Sequence, residues 1–325
     1  MIYYSINIMK KSVLFLLIPF LVLAMSCNKA PKSTKWQDTT TTGVIPIACD
    51  QCFQPIIQSE INVFEALYPT SGIVPIYTDE VEAIQLLIKD SVRLAVTSRG
   101  LTEGEKVAFT NKKMVVRELK IAVDAIALIV NQKNKESIIG MPVLKKILTG
   151  EITDWNQLDP KSKLGKINVI FDNPNSSTVR YAIDSICGGQ ELSKDLYAQK
   201  NNREVIEKVS EVPGSLGIIG VNWISNENDS TNLSFSDKIK VLSVGRYANP
   251  DKYNSYEPYQ AYIALGNYPM TRNVYILLSD PRSGLSSGFA SFVTSDRGQR
   301  IILKSGILPA TQPINIVNVN DKFPR

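Results

Sequence analysis

Apolar positions along this chain recur with two alternating periods, one of two residues and one near 3.6, which predicts a succession of strands and helices. Val44 to Ala48 is a short apolar strand. The segment Cys49 to Pro55 (CDQCFQP) then turns into a helix in which Ile57, Ile61, Phe64 and Tyr68 share one face, and Pro69 ends it. Ile73 to Tyr77 reads as a second strand and Asp79 to Asp90 as a second helix, with Val81, Ile84 and Leu87 inward. A third strand, Arg93 to Thr97, is ended by Ser98-Arg-Gly100, and Thr102-Glu-Gly-Glu105 is a capping box for a third helix. Repeated β-loop-α units of this kind build a parallel sheet.

The longest β-rich run, Val115 to Val130, is apolar on both faces from Ala122 onward, the mark of a strand buried on both sides. Pro142 starts a helix carrying Val143 and Ile147 that Gly150 closes, and Ile152 to Trp155 turns toward a further strand, Lys166 to Phe171. A helix over about Arg203 to Ser210 leads to a tight turn and short strand within Val212 to Gly220. Residues 225–237 are a polar surface excursion, and Lys238 to Val244 is another strand. Asn267 to Leu278 turns into an apolar strand, followed by two helices. Phe289, Phe292 and Val293 lie on one face of the first; Gly298 to Lys304 extends the second, which Gly306 closes. There is no internal repeat.

The stretch with the most chemistry lies between strand and helix, at Asp172 to Arg180 (DNPNSSTVR). Pro174 stops the strand, Asn175 or Ser176 caps a helix running to about Cys187, and Gly188-Gly189 ends it. Free N–H groups at a helix start beside the hydroxyls of Ser176, Ser177 and Thr178 suit an anion, although Ser/Thr clusters also serve merely as caps.

At 325 residues, with 44% hydrophobic and 21% charged content, the chain can bury a sizeable core. It contains no histidine, which removes the commonest general base and zinc ligand together and weakens hydrolase and metalloenzyme readings; no catalysis and no metal or other cofactor are expected. The N-terminus carries Lys10-Lys11, an apolar run from Val13 to Met25 and then Ser26-Cys27, the layout of a secretory signal over residues 1–26. Leu23 to Cys27 (LAMSC) resembles a relaxed bacterial lipobox, which makes Cys27 a lipidated N-terminus; the alternative is an ordinary cleaved signal. Residues 27–43 form a polar tether. Without that leader 34 basic residues face 31 acidic ones, too little excess for nucleic acid.

Several separated segments resemble the PstS-like phosphate-binding proteins of ABC transporters, members of the type II periplasmic binding proteins. They are Ala122 to Asn131, Ile147 to Asn156, Ser176 to Thr178, Pro213 to Gly220, Tyr268 to Arg272 (YPMTR) and Gly298 to Gly306, in register over roughly 44–310. The resemblance implies an α/β fold of two lobes, with mixed, mostly parallel sheets joined by two crossover strands. Residues 44–121 and 245–325 would form lobe I and 122–244 lobe II. It further implies an extracytoplasmic, monomeric solute-binding lipoprotein on the periplasmic or surface side of the cell envelope, delivering phosphate or a similar oxyanion to an ABC permease.

By the same resemblance the ligand falls on Cys52 and Phe53, on Ser98 and Arg99, and on Ser176, Ser177 and Thr178. Three departures stand out: Cys52 replaces a hydroxyl residue, Ser177 a glycine, and Arg99 and Asp172 stand where the family carries an acid and an arginine. Either these two exchange roles, Arg99 clamping the anion and Asp172 accepting its proton, or they bridge each other across the cleft. The departures also admit a second function, a PstS-like sensor or interaction lipoprotein that no longer binds phosphate. Cys49-x-x-Cys52 fits either a redox pair or incidental core cysteines. The tyrosines at 247, 253, 256, 259 and 262 read either as packing around an irregular lobe-crossing segment or as the lining of a sugar or peptide site, and Trp155 reads as a packing residue.

If Cys27 carries the lipid, Cys27→Ser releases the protein from the membrane fraction and leaves the folded domain unchanged. Fractionation followed by immunoblotting checks this, and a variant that still sediments with membranes contradicts the anchor.

Overall fold

A computed structural model describes residues 38–225 and 234–311. The signal sequence, Cys27 and most of the tether lie outside the described residues, as do residues 226–233 of the polar excursion. No helix among the described residues is long and apolar enough to cross a membrane.

The chain opens with β1 (Gly43–Asp50), a single 3₁₀ turn at Gln51–Phe53, α1 (Gln54–Leu67), β2 (Ser71–Thr78), α2 (Glu80–Ile88), β3 (Leu94–Thr97) and α3 (Glu103–Asn111). Each helix begins where its sequence supplies a start. Pro55 sits in the first turn of α1, Asp79 accepts the Glu82 N–H, and Thr102 and Glu105 cap each other's backbone N–H reciprocally. The buried face of α2 differs from the expected one. Val81 is 54% exposed, and the inward residues are Glu80, Ala83, Ile84 and Leu87. These follow the i, i+3, i+4, i+7 spacing of a helix face, whose first member is a charged residue and so escapes a purely apolar reading.

Next come β4 (Arg117–Val130), β5 (Ile138–Gly140), α4 (Met141–Leu148), β6 (Asn168–Phe171) and α5 (Ser177–Tyr181), which continues as a π-helical turn over Ala182–Ile186. Ser176 is the N-cap of α5, accepting the Val179 N–H at 3.2 Å, and Gly188 and Gly189 close the helix at φ of 66° and 84°. Then follow β7 (Tyr197–Ala198), α6 (Asn202–Glu211), β8 (Ser215–Gly220), β9 (Lys240–Val241), β10 (Ser243–Gly245), β11 (Ser255–Tyr256), α7 (Gln260–Ala264), β12 (Thr271–Leu278), α8 (Leu285–Thr294), α9 (Asp296–Lys304) and β13 (Leu308–Pro309). The single strand expected over Lys238 to Val244 is two pieces. Lys240–Val241 pairs with β4, whereas Ser243–Gly245 pairs with β5 and β11 in a separate small sheet.

The large sheet has the order β2-β1-β3-β12-β4-β8-β6-β7. Its flanks are parallel, β1 with β2 and β3 on one side and β6 with β7 and β8 on the other. Antiparallel pairing runs through the middle, where β4 meets β12, β8 and β9, so parallel pairing predominates only away from β4. Along β4 the partner changes: Arg117 to Ala125 pairs with β12, and Ile126 to Val130 with β8. One long strand thus belongs to both halves of the sheet. Helices cover it on both faces. Phe64 of α1 packs edge-on against Phe289 and Phe292 of α8, with ring centroids 5.4 and 5.3 Å away, while Ala83, Ile84 and Leu87 of α2 join Ala48, Ala95 and Phe109 in a second cluster.

Trp155 is 1% exposed, and its Nε1 donates to the Gly214 carbonyl at 2.9 Å, fastening the turn after α4 to the turn before β8. Trp155→Ala removes both the packing and that bond and is expected to cost roughly 3–5 kcal/mol. Urea unfolding measures it, and a loss below about 1 kcal/mol contradicts the anchoring role.

Candidate functional site

An acid within an apolar, doubly buried strand needs a counter-charge, and β12 supplies it. Arg272 and Asp124 are direct cross-strand neighbours in the β12–β4 ladder. Arg272 Nε and Nη2 both lie 2.9 Å from Asp124 Oδ2, with the side chains 4% and 0% exposed. Nε makes the hydrogen bond, and Nη2 adds an ion-pair contact to the same oxygen. Gly220 lies beside the pair, where a Cβ would make ordinary contact with Arg272 Nη2 and Asp124 Oδ2, at 3.4 and 3.5 Å, and a tighter one of 3.0 Å with Asn222 Nδ2. Burial alone would drive the proton off Arg272, yet Asp124 holds its pKa above the ordinary arginine value. Burial likewise pushes Asp124 up, and Arg272 opposes the shift.

From this floor Arg272 reaches the start of α5. Nη1 donates to Ser177 Oγ at 2.8 Å and lies 3.5 Å from Thr178 Oγ1, while the guanidinium carbon stands 4.9 Å from the centre of the Phe53 ring. Such cation–π stacking suits a buried arginine. The first helical N–H groups, those of Ser177 and Thr178, have no intrahelical partner by the geometry of a helix start. The 3₁₀ turn after β1 approaches from the other side. Asp50 Oδ1 accepts the Cys52 N–H at 3.0 Å, Cys52 Sγ donates to Asp172 Oδ2 at 3.2 Å, and the sulfur sits 3.4 Å from Thr178 Oγ1. Asn202 of α6 also donates to Asp172 Oδ2, and Trp223 Nε1 ties the Cys52 carbonyl to the segment after β8.

The loop after β3 is arranged otherwise. Ser98 donates its N–H and its hydroxyl to Glu80 Oε1, both at 2.7 Å. Arg99 turns to Glu105, donating through Nη1 and Nη2 at 2.8 and 2.9 Å, with Nε 3.5 Å from Glu80 Oε2. The Arg99 hydrogen bond lowers Glu105 to about 2. Thus Cys52, Phe53, Asp172, Ser177 and Thr178 converge, Ser176 acts as the helix cap, and Ser98 reaches the same helix only through Arg180 Nη2, at 2.6 Å. Arg99 and Asp172 form no ion pair with each other, so the bridge considered between them is absent. Arg99 spends its two planar donors on Glu105, and the buried guanidinium beside Ser177 belongs to Arg272.

Sequence reading passed over Arg272, Asp124, Asp50, Glu80 and Asn202. A signal existed for two of them. Asp124 interrupts a run that is apolar on both sides, and Arg272 opens an apolar strand; a buried charge of one sign calls for one of the other. Cys49, Cys52 and Cys187 are buried free thiols, which settles the pairing question for Cys49 and Cys52. Among the described residues, no group of three or more Cys, Asp or Glu side chains is placed to hold a metal ion.

The polar atoms around this point leave a pattern of unused capacity. Asp50 Oδ2, Asp124 Oδ1, Asp172 Oδ1, Asn202 Oδ1, both amide atoms of Asn222 and Arg272 Nη2 are buried without a hydrogen-bond partner in the protein. A ligand matching them offers acceptors to the guanidinium and helix start, and donors to the carboxylates.

Residues 36–297 match the family described as PBP superfamily domain. The chain is 30% identical over 222 residues to the phosphate-binding protein PstS of Borreliella burgdorferi, covering 66% of this chain and 72% of that protein. It is 22% identical over 317 residues to the phosphate-binding protein PstS of Bacillus subtilis, covering 93% and 96%. Two solved structures share the fold. One is a Clostridium perfringens protein with bound phosphate, at a TM-score of 0.66 and 21% identity over 82% of this chain and 99% of that one. The other is an ABC-type phosphate transport receptor from Vibrio cholerae, at 0.60 and 22% over 82% and 100%.

Burial, and then the charge of Glu80, raise the Asp50 carboxyl to about 6, against the opposing pull of Arg272, Ser177 and the Cys52 N–H. The folded protein therefore holds this proton more tightly than the unfolded chain. The stability it contributes is complete below the ordinary carboxyl pKa and is lost as pH rises through about 6. Raising the pH from about 4 to about 7 should cost about 2 kcal/mol through this group. Asp50→Asn keeps the cap on Cys52 without a titrating proton, so it should be more stable than the parent at about pH 7 and nearly equal to it at about pH 4. Urea unfolding at both pH values tests this; parallel profiles for parent and variant would falsify it.

Proposed function

The chain belongs to the PBP superfamily domain family, and from that premise we propose that it is a PstS-like extracytoplasmic solute-binding protein that captures phosphate, or a tetrahedral analogue, for ABC-type uptake. The observation that carries the reading is Arg272. Its buried guanidinium is aimed at the hydroxyls of the α5 start and stacked on Phe53. A desolvated oxyanion needs charge-assisted donors to replace its water, and Arg272, the N–H groups of Ser177 and Thr178 and their hydroxyls offer them together. Binding and release require no bond to be made or broken, so no catalysis is assigned.

Asp172 and Asp50 set which oxyanion fits. A carboxylate oxygen facing the ligand accepts a proton from hydrogen phosphate and repels sulfate, which at neutral pH has none to give. Arg272 thereby takes the clamping role assigned to Arg99, and Asp172 keeps the proton-accepting role.

The lobes are proposed to be residues 44–121 with 245–325, and 122–244, turning about β4 and β12. The support is that β4 exchanges its β12 partner for β8 between Ala125 and Ile126. Closure of the two lobes over the ligand would present one surface to a permease. Cys27 would hold the monomer at the membrane by its lipid.

One observation favours the second reading, a sensor or interaction lipoprotein. Asp50, Glu80, Asp124 and Asp172 outnumber Arg180 and Arg272 around the cleft, an unfavourable field for a dianion. Calorimetric titration with phosphate and sulfate separates the two functions. Under the capture reading the parent binds phosphate and discriminates against sulfate, and Asp172→Asn, whose amide can donate to sulfate, narrows that ratio by about tenfold. A parent that binds neither anion ends the capture reading and leaves the second.

A further inference from the structure

Glu80 is the first residue of α2, and its side chain is 1% exposed. Oε1 accepts the Ser98 N–H and the Ser98 hydroxyl, each at 2.7 Å, and Oε2 accepts Arg180 Nε at 2.8 Å with Arg99 Nε 3.5 Å away. Arg180 Nη2 donates to Ser98 Oγ as well, so that hydroxyl is engaged both as donor and as acceptor. A main-chain N–H, a hydroxyl and two guanidinium groups, drawn from the loop after β3 and from α5, are what a desolvated oxyanion requires. Here the guest is a carboxylate of the same chain. Ser98 and Arg99 follow β3 and Glu80 begins α2, whereas Arg180 belongs to α5, on the far side of β4 in the sequence.

We propose that Ser98, Arg99 and Arg180 form an oxyanion subsite filled in cis by Glu80. The carboxylate acts as a tethered surrogate anion, joining the two sides of the cleft without a ligand and withholding Ser98 from any ligand that enters. An anion captured at Arg272, Ser177 and Thr178 then binds beside a cradle that is already satisfied, and Glu80 limits the negative charge the cleft accepts. That last consequence rests on the cleft capturing an oxyanion; the occupancy of the cradle does not. Once the Glu80 side chain is cut back, the same donors should take a small free carboxylate in its place.

The test is chemical rescue. Glu80→Ala is expected to melt several degrees below the parent in sodium chloride, and to recover most of that loss, saturably, in sodium formate of equal ionic strength. The parent should respond alike to the two salts. A variant that folds in formate and not in chloride supports the proposal equally. Formate that stabilises the variant no more than chloride does, or no more than it stabilises the parent, overturns it. If Glu80→Ala folds in neither salt, Glu80→Ser is measured instead, since its short side chain removes the Glu80 charge and leaves the cradle open to formate. Its melting temperature should rise more steeply with formate than the parent's, and equal slopes overturn the proposal. Phosphate titrated into the parent reports on capture separately: no phosphate binding alongside formate rescue removes the capture reading and leaves the cradle standing.

Discussion

A guanidinium buried in the middle of a mixed sheet is the constraint from which the rest of this structure follows. Arg272 and Asp124 face each other across the two strands that run through the centre of the sheet. A buried ion pair of this kind adds little net stability over an apolar pair of the same volume, but removing one partner leaves a naked charge and typically costs roughly 3–5 kcal/mol. The pair therefore constrains register and identity more than it stabilises. It holds β12 against β4 and turns donors of Arg272 toward Ser177 and Thr178.

Around that floor the cleft is built from side chains that limit one another. Asp50 caps the turn that carries Cys52, the Cys52 thiol reaches Asp172 and Thr178, and Asp172 is held by Asn202. Burial raises the Cys52 thiol well above its ordinary pKa, and Asp172 and Asp50 add to the shift, so the sulfur remains a protonated weak donor rather than a thiolate. That argues against a redox role for Cys49-x-x-Cys52 in the folded protein. Carboxylates outnumber guanidinium groups here, so the site presents more acceptors than charged donors.

Arg99 shows how a charged residue beside a cleft can be diverted. It lies one residue beyond Ser98, in the loop that the family resemblance assigns to the ligand, but the capping box of α3 places Glu105 within reach of both its terminal nitrogens. Glu105 thus closes its own helix start and neutralises Arg99 in one arrangement. The adjacent Glu80 completes the diversion by taking both donors of Ser98.

The sequence by itself determined the order of the longer strands and helices, the capping box at Thr102 and Glu105, a cap at Asn175 or Ser176, the packing role of Trp155 and the cluster of hydroxyls at the α5 start. These depend on residues two to four apart, where periodicity and capping chemistry act through the local backbone. Only the tertiary structure decided which charges meet. Arg272 finds Asp124 across 148 positions and Ser177 across 95, and Arg180 finds Glu80 across 100. No local period encodes such distances. The inward turn of Glu80 and the exposure of Val81 were hidden for the same reason, since a charge belongs to a buried face only when a distant partner arrives to neutralise it.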